Sequence, residues 1–131
     1  MKNDPIYKYR SIISTMVAHS LKKINSSKNN KSFKNILKYD ENTLKHYLEK
    51  QFDNKMNHTN HGKYWDVGHR IPLSWFKTKK DLIKYGWNIK NVFPVEKVFN
   101  QTIQRDKFAY INNNEIYSKE EAIKELYGDE K

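Results

Sequence analysis

The chain contains no cysteine, so disulfides and thiolate-bound metal centres are excluded. That absence fits a reducing compartment. No apolar run approaches the length of a membrane span, and "MKNDPIYKYR" at the start carries no apolar segment of a signal peptide. A soluble cytoplasmic protein is therefore expected (the host cell's cytoplasm if phage-encoded). Acidic residues are also in short supply, 15 against 25 Lys and Arg, for a net charge of +10. The deficit is uneven. Residues 1–60 carry 12 basic against 5 acidic side chains and 61–107 carry 10 against 4, whereas 108–131 reverse to 3 against 6. An anionic partner facing the first four-fifths of the chain is the direct implication. No internal repeat is present. At 131 residues two independent cores do not fit.

The sequence does contain enough to fold, since 37% apolar and 14% aromatic residues can build one core. Asp4 and Pro5 suit a helix start. Tyr9, Ile12, Ile13, Met16, Val17, Leu21 and Ile24 then recur at helical spacing. "NSSKNNKS" (25–32) reads as a loop. Asp40 caps a second expected helix whose Leu44, Tyr47, Leu48 and Phe52 form one face. Lysines on the far sides of both helices are either a solvated face or a phosphate-tracking surface.

From Lys63 the pattern changes. "KYWDVGHRI" reads as a strand ended by Pro72, "KKDLIKYG" (79–86) as a short helix stopped by Gly86, and "NVFPV" (91–95) as a second strand. A helix follows, expected to bury Val95, Phe99 and Ile103 and to carry Asn100, Gln104 and Lys107 on a neighbouring stripe. "FAYINNNEIYS" predicts a hairpin turning at the asparagines. Ser118 with Glu121 predicts a capping box for a last helix ending near Gly128.

Trp65, Val67, His69, Ile71, Pro72, Ser74 and Phe76, then "NVFPV", then Asn100 six residues past Pro94, form an ordered set. It resembles the HNH endonuclease family, a ββα-metal fold, over residues 63–107. Upstream, Leu44, Gln51, Phe52, Met56, Asn60, Gly62 and Trp65 resemble the helical lead-in of a phage and large-DNA-virus subgroup, extending the likeness to residues 5–107. The resemblance implies an α+β fold, with a basic helical lead-in (1–62) and a ββα-metal core (63–107), to which the acidic hairpin-helix tail (108–131), without a counterpart in the family, is appended.

The implied function is metal-dependent hydrolysis of DNA. His69 matches the general base, since an imidazole titrating near neutrality accepts a proton from attacking water. Asn91 matches the motif's middle asparagine, which bridges backbone across the loop and steadies the histidine. Asn100 matches the metal ligand on the helix, its amide oxygen suiting Mg²⁺, with Mn²⁺ as the other candidate. Double-stranded DNA is the expected partner, nicked by a monomer or cut by a homodimer. Arg70, Lys77, Lys79, Lys80, Lys84, Lys90, Arg105 and Lys107 crowd the motif and are expected to contact phosphate. Trp75 and Trp87 are expected in the core.

One position departs from the family. The acid that precedes the catalytic histidine is Gly68 here. Asp66 shares that strand face but lies about 6.5 Å away along the chain. Three arrangements remain: Asp66 is the displaced metal ligand, the ion is held by Asn100 with phosphate and water, or the fold binds nucleic acid without cleaving it. His58 and His61 in "NHTNHG" are a further possible ligand pair.

Overall fold

The computed structural model describes residues 5–29 and 31–128, and the expected cap Asp4 lies outside them. Helix α1, Pro5–Lys23, buries Tyr9, Ile13, Val17 and Leu21 completely, one residue per turn at i, i+4 spacing. A short helix α2, Phe33–Leu37, follows the polar segment and was not anticipated. Helix α3, Glu41–Glu49, starts where expected: the Thr43 amide donates to the Asp40 carboxylate at 2.9 Å. It buries Leu44 and Leu48 against α1.

Strand β1, Trp65–His69, pairs antiparallel with β2, Val92–Glu96, so that Trp65 opposes Glu96, Gly68 opposes Phe93 and His69 opposes Val92. Pro94 is tolerated because the sheet has only these two strands, which leaves its missing N–H on an open edge. Between the strands, Thr78 caps α4, Lys79–Asp81, through the Asp81 amide. The chain then widens into a π-helical turn over Leu82–Gly86, closed by the Trp87 amide on the Leu82 carbonyl at 2.8 Å.

After β2 comes a second π-helix, Phe99–Gln104. Its wider winding breaks the expected stripe at Ile103, although Val95 is buried and Phe99 half-buried as expected. Ile103 is 48% exposed and Val98 60%, whereas Gln104 is buried. In a ring closed by i to i+5 bonds the side chain under Phe99 is not the fourth residue on but the fifth. Gln104 therefore turns inward, and its amide donates to the carbonyls of His69 and Arg70 (both 3.1 Å) and Phe108 (3.3 Å).

The tail forms the expected hairpin, β3 Ala109–Ile111 with β4 Asn114–Ile116. Asn112 and Asn113, at φ 51° and 64°, take the left-handed conformations that a tight two-residue turn requires. Helix α5, Lys119–Tyr127, is capped by the Ser118 hydroxyl accepting from the Glu121 amide. The architecture is thus mixed α+β. One apolar cluster holds residues from all three segments, from Tyr9 through Trp65 and Trp87 to Ala122.

Candidate active site

The site begins with an asparagine that never reaches it. Asn91 is fully buried. Its Oδ1 accepts from the Ile71 amide at 2.7 Å, and its Nδ2 donates to the carbonyls of Ile71 (3.1 Å) and Gly86 (2.8 Å). Its own carbonyl accepts from the Arg70 amide at 2.8 Å. Every polar atom of that side chain is committed to backbone, which fixes the loop leaving β1 directly after His69. Asn91 positions other residues and touches no reacting group.

His69, at the end of β1, lines a cleft of about 580 Å³ together with Gly68, Asn100, Lys77 and Arg105. Its ring meets the Trp87 ring edge to face, with centroids 4.5 Å apart. Nε2 is closed off from solvent and has no partner among the described residues. Burial among apolar neighbours pushes the imidazole pKa down to about 3, so the ring is neutral at pH 7. A second buried polar atom without a partner, Gln104 Oε1, belongs to the side chain that clamps the His69 carbonyl.

Asn100 enters the cleft from the π-helix. Its Oδ1 lies 3.6 Å from where a Cβ on Gly68 would stand, so the two positions that the motif separates by 32 residues face each other. That same Cβ would overlap Val95 Cγ1. Val95, opposite Asp66 in the strand register, thus fills the space that a side chain at position 68 would need. Arg105 ends the π-helix at φ 45°, ψ −127°, a strained conformation for a residue with a side chain, and its amide donates to the Asn100 carbonyl at 3.1 Å.

Several expected site residues lie elsewhere. Asp66 does not line the cleft, and its charge acts instead on His61, whose pKa is lowered mainly by burial, then by Lys8, with Asp66 opposing. Asp66 shares the strand face of Gly68 but stands two residues back along β1, opposite Val95, whose side chain fills the space beside Gly68. His58 is no metal ligand in this arrangement, because Nδ1 meets the Tyr9 hydroxyl at 2.7 Å and Nε2 meets Glu49 at 2.6 Å. Hydrogen bonds from Lys45 and then His58 hold the Glu49 carboxyl well below its usual range. His61 packs edge-on against Trp65. Arg70 does not line the cleft; it donates to Gln51 at 2.8 Å and lies over the Phe93 ring. Lys79, Lys80, Lys90 and Lys107 line no part of the cleft, and the last three are exposed. Among the described residues no group of three or more His, Asp or Glu is placed to hold a metal ion. None of the helices there is long and apolar enough to cross a membrane.

Five polar cleft residues were not anticipated: Thr15, His19, Ser20 and Lys23 of α1, and Asp106. The Trp87 indole donates to Ser20 Oγ at 2.9 Å, which ties α1 to the wall that carries His69. A signal for them existed, because Thr15, His19 and Lys23 repeat every four residues beside the buried stripe of α1.

No family model matches the chain, and no solved structure matches it significantly. Two relatives from Acanthamoeba polyphaga mimivirus do. Uncharacterized protein L246 is 32% identical over 102 residues, covering 76% of this chain and 42% of the relative. Uncharacterized protein L426 is 35% identical over 78 residues, covering 59% and 34%. The chain spans well under half the length of either relative.

Proposed function

We propose that the chain is an HNH-type, metal-dependent nucleic-acid endonuclease domain with a modified metal site. The observation that carries this reading is the meeting of His69 and Asn100, from two distant segments, in one cleft rimmed by Lys77 and Arg105. Neutral at pH 7, His69 keeps a lone pair for a proton from water. Its weakness as a base in the empty cleft is conditional: a phosphodiester anion arriving beside it favours the protonated ring and raises its proton affinity. Lys77 and Arg105 hold and orient that anion, Arg105 with a fork that can take two oxygens. Asn91 keeps the His69 loop from shifting.

The donor set sets what metal fits. Asn100 offers one hard oxygen, and Asp106 is the one carboxylate among the described residues that lines the cleft. That is too few for a cage of protein ligands but suits Mg²⁺, which keeps several waters and completes its shell with substrate phosphate. When bound, such an ion supplies charge stabilisation to the transition state and leaving oxygen. Asp66 has no part in this scheme.

A second reading, an HNH-type module that binds nucleic acid without turnover, is favoured by one feature, Val95 filling the space beside Gly68. Nicking of supercoiled plasmid in Mg²⁺, Mn²⁺ and EDTA separates the two. The expected result is slow nicking in either metal, none in EDTA, and a loss of at least about 100-fold in His69→Ala, the usual scale for removing a general base. Binding with no nicking in either metal would establish the second reading.

A further inference from the structure

Helix α1 presents three parallel stripes to its surroundings. Ile13, Val17 and Leu21 are buried in the core. Met16, Ser20 and Ile24 are half-buried and line the cleft, and Thr15, His19 and Lys23 are exposed along its rim. Each stripe repeats at i, i+4, i+8, the spacing that keeps side chains on one face. The cleft is therefore two-walled. Lys77 and Arg105 stand on the side of the β1–β2 segment, and His19 and Lys23 on the side of α1. Between them Met16, Ile24 and Leu73 make an apolar floor.

A cationic rim over an apolar floor matches an unpaired nucleotide, phosphate at the rim and base against the floor. The volume agrees, since about 580 Å³ is the size of a small-ligand pocket and too little for a turn of duplex. From this geometry we infer that the substrate strand lies unpaired in the cleft, with α1 as its second wall, so that the domain selects single-stranded nucleic acid or an unpaired flap over intact duplex. This rests on the nuclease reading for the site and names its substrate class.

Binding without cleavage is the test. In EDTA, fluorescence anisotropy compares a labelled 12-nucleotide DNA strand with the same strand in duplex, for wild type, Lys23→Glu and Lys55→Glu. Lys55 is exposed and lies outside the cleft, so it matches the charge change without touching the wall. The expected result is single-strand binding at least about fivefold tighter than duplex, weakened about tenfold by Lys23→Glu and about twofold by Lys55→Glu, because the first charge sits beside the phosphate and the second is screened. Thermal melts of both variants check that folding is unchanged. Where Lys23→Glu melts early, His19→Glu replaces it at the same rim. Duplex bound as tightly as single strand, or equal losses in the two variants, would overturn the inference while leaving cleavage of duplex plasmid intact. Failure to bind either form would sink both this inference and the nuclease reading.

Discussion

Asn91 and His69 are polar side chains set into the same β1–β2 segment, and the protein treats them in opposite ways. Asn91 meets three backbone groups with its side chain and leaves nothing unsatisfied. His69 holds Nε2 away from water with no partner, at the edge of a cleft. A buried polar group that is fully bonded strengthens the fold, whereas one left unbonded costs stability and persists where something else can use it. The loop is held rigid by its bonded asparagine, and the cleft wall keeps a polar atom to spare for the role we propose for it.

Breaking the satisfied side should have the largest effect. Asn91→Ala strands the Ile71 amide and two carbonyls, and should cost about 3 kcal/mol or more in urea unfolding, at roughly 1–3 kcal/mol for each of the three stranded groups. A cost below about 1 kcal/mol would mean that water replaces the side chain and that the contrast is false. The second effect tests the filled space at Gly68. Gly68→Ala should lose about 1–3 kcal/mol by overpacking against Val95, and Val95→Ala in the same chain should recover part of it. Simple additivity of the two changes would show that Val95 does not occupy the place of a side chain at 68.

The effect that is smallest at neutral pH appears only in acid. Burial lowers the folded pKa of His69 to about 3 from the ordinary imidazole value of 6.5, so between those values the unfolded chain binds a proton that the folded chain refuses. Stability from this group is complete above about pH 6.5 and falls as pH drops toward 3, with a limiting slope of about 1.4 kcal/mol per pH unit. His69→Leu should flatten that part of the stability–pH curve. An unchanged slope in the variant would place His69 in contact with water and remove the contrast with Asn91.

Legibility in the sequence varied with the range of the interaction. Caps at Asp40 and Ser118, the asparagine turn at 112 and 113, and the Tyr9–Leu21 stripe are local, and the residues themselves specify them. The exchange of Ile103 for Gln104 in the core was not legible, because hydrophobic periodicity assumes α-helical winding and the chain winds wider there. Asp66 was drawn to the site by its nearness in sequence and the strand face it shares with Gly68, yet Val95 stands opposite it and fills the space beside Gly68, while its charge acts on His61.

By itself, then, the sequence determined the element order, the basic character of the first four-fifths, and the presence of His69, Asn91 and Asn100 at telling spacings. Those follow from local propensity, charge and chain order. Only the tertiary structure decided what surrounds them. It brought Asn100 within reach of Gly68, filled the intervening space with Val95, left His69 Nε2 without a partner, and raised α1 as the far wall of the cleft. Each depends on which surfaces meet when residues far apart in the chain pack together, and no spacing along one segment encodes that.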